Sequence, residues 1–579
     1  MTGPSIDLRW AGAARVGLGA ALLLDLLRRA QVARTFFSNE GVLPNHVALL
    51  REHTLPTFYM SLSRPGEVAV GLALTAVVYL LFTIGFHTRV CHLLALACLV
   101  GLGLRNPLVQ APAEPLLAAL LALTVTLPLG RRLSIDALRA SLARRHEKSS
   151  AELADRESPA VSHRSIAVAV LVATWSLLHV LGCLDTTDAS LGYLLHHDAL
   201  VSGVGRALRE PLSLPWVARG VRLALLALAL LLLIPRARRL AALLAGLLYG
   251  GLALTTELDL FAFVRFLPFV LLLRTPGLAA RWFARDSRKR TVIFDADCGI
   301  CLLVSRVLVR LDPFRRLTFV GNDELERIPD AVPRDVLETS VVVIDSKGGV
   351  HTEERAVFEI GRALPFGILM LGWCGIPGLA AIGRRGYRAI AERRIAISSW
   401  LGLGACGMPH APSGGGATAP PPAEHPRLRA VVALSVAALI VAGVAHDSPW
   451  LAALLPPPPA AAAAARAPWA SRRWSDVLRG AWTPRRGRHP GRRPPRRSAH
   501  RPRAEARGRW PRAVPLWAAY GRHLREPRFE AERVPFRSWL VARTEPKATT
   551  LTVWWVRERA PEPGASSATP LPPVELSRA

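Results

Sequence analysis

The first 280 residues alternate between long apolar segments and polar breaks, with apolar stretches near 10–27, 66–86, 90–104, 114–130, 165–184, 220–235, 238–256 and 258–274. A helix needs about 20 residues to cross a bilayer, so the pattern predicts eight membrane helices, give or take two, some of the shorter ones re-entrant. The first segment runs into Arg28-Arg29 with no small-residue cleavage site after it, which argues against a removed signal peptide. Past residue 288 the periodicity changes. Thr291 to Phe294 is a short run with β-branched residues, Asp295-Ala-Asp297 is a turn, and Cys298 opens an amphipathic run to Leu311, predicting strand, turn and helix. Ser340 to Asp345 predicts a buried strand, Lys347-Gly-Gly349 a hairpin turn, Val350 to Thr352 the returning strand, and Ala356–Leu364 and Gly378–Arg394 two helices.

Beyond Gly407 the pattern weakens. Residues 409–427 read as a flexible linker, 428–445 as a further apolar helix able to span, and 446–514 as a low-complexity Pro/Ala/Arg segment. In the C-terminal stretch 515–579, Leu516 to Leu524 predicts a helix and Thr549 to Arg559 a strand.

Composition agrees with a membrane class. Of 579 residues, 51% are hydrophobic, which is high for a soluble chain. The formal net charge is +30, yet only four lysines (148, 289, 347 and 547) stand among 73 basic residues. That bias reads as coding preference before nucleic-acid binding. From Ser471 to Arg512 there are 15 arginines opposed by Asp476 and Glu505 alone, a tract read as frame-shifted or disordered in preference to a functional basic tail. Loop charge orients the bundle. Arg131, Arg132, Arg144, Arg145 and Lys148 follow the fourth segment, Arg236, Arg238 and Arg239 the sixth, and Arg281 to Arg290 the eighth. Alternating spans put these on one side, which the positive-inside rule makes cytoplasmic, while Asp185, Asp188, Asp198, Glu257 and Asp259 fall outside. Arg34, Arg51 and Arg64 fit this topology less well.

Seven cysteines (91, 98, 183, 298, 301, 374 and 406) show no disulfide-framework spacing. Cys298 and Cys301 are three apart at a helix start, on the same side, where unpaired N–H groups and the helix dipole favour a thiolate. Three readings compete: zinc, core packing and redox use. Zinc needs two more ligands, and Cys374 and Cys406 bring neither a second CxxC nor a histidine pair. Packing is common for free cysteine, but the strand before and the helix after favour redox use. Cys406 as a resolving cysteine is the weaker reading beside a passive one. Trp373, Cys374 and Trp400 read as core or membrane-facing packing. His87, His92, His179, His196, His197, Glu257, Asp259 and Arg265 lie in or beside the spans, and most fall near predicted ends, where solvated interfacial positions are the simpler expectation over a functional cavity.

Asp295-Ala-Asp-Cys-Gly-Ile-Cys301, Arg310-Leu-Asp312, Leu317-Thr-Phe319, Ser340 to Asp345, Gly348, Ala356, Pro377-Gly-Leu379, Tyr387, Ala391, Arg394 and Ser399-Trp-Leu-Gly402 together resemble the DCC family of thiol-disulfide oxidoreductases over residues 290–408. Ala296 stands where that family usually has glycine, and Thr339-Ser340 precedes Val341 where a thioredoxin has proline. The resemblance implies a small α/β thioredoxin-like domain at 288–408, with Cys298 attacking a disulfide and Cys301 resolving the mixed disulfide. Asp295 and Asp297 would form the turn and cap the helix, and their charge would oppose the thiolate, making the pair less acidic than a bare helix-start cysteine.

Arg105-Asn-Pro107, Leu127 to Leu138 and Gly192 to Asp198 resemble the HTTM domain, a relative of the vitamin K-dependent gamma-carboxylases that precedes a DCC-type domain in many bacterial chains. The resemblance implies a polytopic α-helical membrane bundle over 1–280. Carboxylase chemistry uses a lysine base in that family, and no lysine lies between Lys148 and Lys289 or within the apolar segments. The combined expectation is a bacterial inner-membrane thiol-disulfide oxidoreductase with its CxxC domain in the cytoplasm. Its partners would be the lipid bilayer and an unidentified disulfide or dithiol. It would need no cofactor beyond the cysteine pair; nothing in the residues supports a quinone, and nucleic acid is not an expected partner. The competing classes are a transporter-like or scaffold membrane protein with a structural cysteine pair and, as the weaker one, a carboxylase-like membrane enzyme lacking the usual lysine.

Overall fold

The computed structural model describes residues 5–49, 56–143, 162–164, 166–186, 201–208, 214–273, 289–295, 298–312, 316–322, 340–364, 379–403, 532–541, 552–559 and 569–578, with a few single residues and short pieces between them. The linker, the arginine tract, nearly all of the 428–445 segment, Ala296, Asp297, Trp373, Cys374, Cys406, His196, His197 and Asp198 lie outside the described residues.

All eight apolar segments fall on helices: α1 (Leu8–Ala30), α2 (Pro65–Ile84), α3 (Thr88–Arg105), α4 (Ala113–Thr124), α6 (Ile166–Asp185), α7 (Leu214–Leu233), α8 (Arg238–Thr255) and α9 (Asp259–Leu271), with a short α5 (Ile135–Ala143) after α4. Among the described residues, six are long and apolar enough to cross a membrane by length and composition, while α4 and α9 fall short. Local chemistry sets the ends. Asp7 accepts the Arg9 N–H at 2.9 Å to start α1. Pro65 opens α2, and the Glu67 carboxylate reaches back to the backbone N–H groups of Ser63 (2.8 Å) and Arg64 (3.0 Å). Gly85 closes α2 at φ +74°.

The start of α3 is capped from a distance. Asp136 on α5 accepts the N–H groups of His87 (2.9 Å) and Thr88 (2.8 Å). Buried Arg15 near the start of α1 donates to the carbonyl oxygens of Leu129 and Leu133. One end of the bundle therefore gathers the start of α1, the α2–α3 turn and α5. Arg236, Arg238 and Arg239 share a cavity lining with Leu272 just past α9, so the sixth and eighth segments end together. The loops after the fifth and seventh meet elsewhere, through a bridge between Val201 and Thr256. Inside the bundle Arg29 holds Asp25 at 2.8 Å and contacts Glu114, and Arg105 donates to the carbonyl oxygens of Phe37 (3.1 Å) and Leu43 (3.0 Å). Buried charges are tolerated only when paired or hydrogen-bonded in this way.

The second unit is a small mixed sheet with helices: β1 (Arg290–Phe294), α10 (Gly299–Leu311), β2 (Leu317–Gly321), β3 (Val342–Ile344), β4 (Val350–Thr352), α11 (Glu353–Ala363), α12 (Leu379–Glu392) and α13 (Arg394–Trp400). Sheet order is β2-β1-β3-β4, with β1 and β2 parallel and the other pairs antiparallel. A parallel pair needs a crossover, and α10 supplies it. Alternation along β1 sends Val292 to one face, with Phe319, Val343, Ala356 and Ile360, and Ile293 to the other, with Val320, Val332 and Val342. The salt bridge between Arg290 and Glu359 (2.8 Å) ties the start of β1 to α11 in a buried setting.

The predicted hairpin turn is present. Gly348 stands at φ +83° with open space around a would-be Cβ, and Asp345 accepts the N–H groups of Lys347 (2.8 Å) and Gly349 (2.9 Å). Gly348→Ala should therefore cost about 1 kcal/mol through backbone conformation alone. Gly386, helical and equally open, should gain about 0.5–1 kcal/mol from the same change. Paired denaturant midpoints would show the opposite signs, and equal shifts would contradict this account.

A few described residues of the C-terminal stretch pack on the helical half. Tyr520, Leu524 and Phe529 join the buried core of the bundle, and His523 Nδ1 lies 2.8 Å from the Leu108 carbonyl oxygen. The strand Thr552–Arg559 pairs antiparallel with Thr569–Arg578.

Candidate functional site

The turn after β1 sets the site. The Cys298 N–H donates to the Asp295 carbonyl oxygen at 3.3 Å, and the Asn322 N–H after β2 donates to the Phe294 carbonyl oxygen at 3.0 Å, so the chain leaves the sheet sharply. Cys298 is the N-cap of α10 with extended backbone (φ −82°, ψ 117°), and Cys301 lies in the first turn. Asp297, expected to cap this helix, lies outside the described residues, and Cys298 occupies the N-cap position without a side-chain capping bond. A helix start leaves N–H groups without intrahelical partners. The Ile300 N–H donates to Ser398 Oγ on α13 at 3.1 Å. Both thiols are free rather than bridged, with Cys298 1% exposed and Cys301 half-buried.

Three residues and burial act on the Cys298 sulfur. The Cys301 S–H donates to it and is the largest influence favouring the thiolate; burial opposes, and the Cys301 backbone N–H favours it again. Asp295 opposes by charge, as its sequence position implied, but Arg394 counters. The Arg394 guanidinium sits 3.3 Å from the Asp295 carboxylate. The Cys298 thiol is pushed down to about 6 as a result. The Cys301 thiol moves the other way, raised by its hydrogen bond to Cys298 and by burial. One sulfur is thus set to be charged near neutral pH while the other stays protonated.

Two further residues frame the pair. Tyr387 Oη accepts the Val341 N–H at 2.8 Å, just before β3, where no proline stands. Burial raises the Tyr387 phenol, so it stays neutral. Arg394 and Tyr387 appear in the family pattern, but spacing alone does not show that the former reaches Asp295 or the latter Val341. Ser398 carried no sequence signal at all.

Three ionisable residues of the bundle, His92, His179 and Arg265, are buried where solvated positions were expected. His92 Nε2 lies 3.0 Å from the Leu121 carbonyl oxygen. His179 Nδ1 lies 2.7 Å from the Trp175 carbonyl oxygen and its Nε2 2.7 Å from Tyr249 Oη, which accepts from Arg265 Nε at 3.2 Å. His87 and Glu257 are exposed, as an interfacial position requires. Trp400 is 84% exposed, so it is no core residue.

No curated protein and no solved structure matches the chain. Residues 292–400, from β1 through α13, match the family model of the DCC1-like thiol-disulfide oxidoreductases, and that stretch holds Cys298, Cys301, Asp295, Tyr387 and Arg394.

Proposed function

We propose that this chain is a membrane-anchored thiol-disulfide oxidoreductase in which Cys298 is the nucleophile and Cys301 the resolving thiol. The observation that carries the reading is the Cys298 sulfur at the start of α10, favoured as thiolate by the Cys301 S–H and by Arg394. The Cys298 thiolate attacks one sulfur of a substrate disulfide, a new S–S bond forms, and the other substrate sulfur leaves as thiolate. Cys301 then loses its proton to solvent and attacks Cys298 Sγ. The second substrate sulfur departs, leaving a Cys298–Cys301 disulfide and a reduced substrate, two electrons having passed outward. The reverse sequence oxidises a dithiol. Asp295 orients Arg394 by its ion pair and shapes the turn through its carbonyl.

The membrane part of the proposal rests on the six long apolar helices and their outward side chains. Val70, Leu74, Leu223, Leu243, Leu247 and Leu254 are each more than half exposed, a surface that water penalises and lipid accepts. Loop charge supports a cytoplasmic dithiol domain, and the proposed setting is a bacterial inner membrane. The HTTM-like motifs support the bundle reading, and the lysine-free spans support no carboxylase step. The bilayer and a disulfide or dithiol partner are the interactions proposed, with no cofactor beyond the cysteine pair.

A second reading is favoured by one observation: Cys298 is only 1% exposed, which suits a structural cysteine pair on a non-enzymatic bundle. Full-length Cys301→Ser, solubilised from membranes and treated with glutathione disulfide, should retain a mixed disulfide on Cys298 that dithiothreitol releases. The Cys298→Ser/Cys301→Ser double variant should give none. No adduct on the single variant would sink the redox reading.

A further inference from the structure

The helix α12 carries two different faces. On one side Gly383 is buried and Tyr387 and Ala391 half-buried against the domain, while Arg384 and Arg388 are held by Glu354 (2.6 Å) and Glu353 (3.0 Å). The opposite side carries Ala381, Ile382, Arg385, Gly386, Ala389, Ile390 and Glu392, all exposed, and exposed Arg393 follows at the junction with α13. Positions 382, 386, 389, 390 and 393 recur at helical spacing and form a continuous stripe. The surface continues through α13, where Ile395 and Trp400 are 57% and 84% exposed. Arg385 and Arg393 have no ion pair among the described residues. An apolar stripe flanked by arginines and ending in tryptophan has the chemistry of a helix lying in a membrane interface.

The fold puts that surface near the bundle's end. Arg310 Nη2 on α10 donates to the Ala137 carbonyl oxygen on α5 at 3.2 Å, and α5 caps the α2–α3 turn through Asp136. Both α5 and α13 pack on α10, α13 at its start and α5 near its end, so α10 links that surface to this end of the bundle.

We infer that the outer face of α12 and α13 docks on the anionic lipid surface of the same membrane, the isoleucines and Trp400 entering the headgroup region and Arg385 and Arg393 meeting lipid phosphates. This rests on the membrane-anchored reading above and sharpens it. Because α13 carries both Ser398, which accepts from Ile300, and Arg394, which neighbours Cys298, docking presents the dithiol at the lipid interface. Its substrate class is then a disulfide borne by a membrane-associated protein or an amphiphile.

The test uses the full chain in nanodiscs of phosphatidylcholine, alone or mixed with phosphatidylglycerol, with and without brominated acyl chains that quench tryptophan. The Trp400 signal is the difference between wild type and Trp400→Phe, and the α7 signal is the difference for Trp216→Phe. The expected result is a blue-shifted Trp400 component quenched several-fold by brominated lipid in the anionic discs. The quenching should weaken in high salt and be lost in Arg385→Glu/Arg393→Glu or Ile390→Glu. A Trp400 component unquenched in every disc overturns the docking. So does one that is blue-shifted in detergent and insensitive to brominated lipid, which would mean protein covers the face. Quenching of Trp216 separates the two failures: if it too is absent, the membrane reading of the bundle falls, and if it is present the docking alone fails.

Discussion

In the reduced protein, alkylation of Cys298 by iodoacetamide should reach half its plateau rate near pH 6, the value to which its thiol is pushed down. An unperturbed cysteine would give a midpoint of about 8.5. The 1% exposure of Cys298 lowers the plateau rate, and the upward push of burial on the thiol is already contained in the midpoint near 6. Cys301→Ala should raise the midpoint most, because the Cys301 S–H is the largest influence on the thiolate. Arg394→Gln should raise it less, and Asp295→Asn should lower it. The folded value lies below the unfolded one. The thiolate's contribution to the reduced domain is therefore fully present above about pH 8.5 and is lost as pH falls through about 6. A stabilised thiolate also favours the dithiol over the disulfide, so Arg394→Gln should make the pair more reducing. A wild-type midpoint above 8 would contradict the arrangement described.

Removing the Glu359 carboxylate should be the most damaging single change in the dithiol domain. Arg290 and Glu359 are both nearly buried and lie 2.8 Å apart, and Arg362 also reaches Glu359 at 2.8 Å. Glu359→Ala removes a buried counter-charge of the Arg290 guanidinium, at an expected cost of about 3–5 kcal/mol. Glu359→Gln, which keeps an acceptor, should cost less. Arg290→Met with Glu359→Leu should recover most of the loss, since apolar replacement of a whole buried pair is often neutral. The carboxyl itself carries a pH signature. Burial pushes it up, but the hydrogen bonds from Arg290 and Arg362 together hold it below the ordinary carboxylate range. Its stabilising contribution is thus present above about pH 4.3, the unfolded value, and is lost as pH falls through the lower folded value. Hydrogen exchange of β1, β2 and β3 amides in the full chain would measure both effects. A loss below about 1 kcal/mol for Glu359→Ala would show that water reaches the pair.

The same contacts show what composition can and cannot convey. Eight apolar runs foretold eight helices because burial in a bundle and burial in lipid both demand apolar side chains over helical lengths. Two of these, α4 and α9, stop after 12 and 13 residues, which hydropathy did not separate from the rest. The placing of His92 and His179 near segment ends predicted solvated residues, yet both are buried against carbonyl oxygens. A hydropathy profile counts polarity but carries no information on which acceptor lies on a neighbouring helix.

The dithiol region divides in the same way. Sequence by itself determined the strand, turn and helix around Thr291 to Leu311, the hairpin at Gly348 and the pairing of Cys298 with Cys301. All of these follow from residues within a few positions of one another, where propensity and helical spacing decide the geometry. The tertiary structure alone brought Arg394 to Asp295, Ser398 to Ile300, Tyr387 to Val341 and Glu359 to Arg290, across separations of 46 to 99 residues. Such contacts arise from how helices dock on a sheet, and a charge or hydroxyl at the right distance leaves no periodic trace in the chain. The acidity of Cys298 therefore has a local origin in the start of α10 and a non-local one in Arg394.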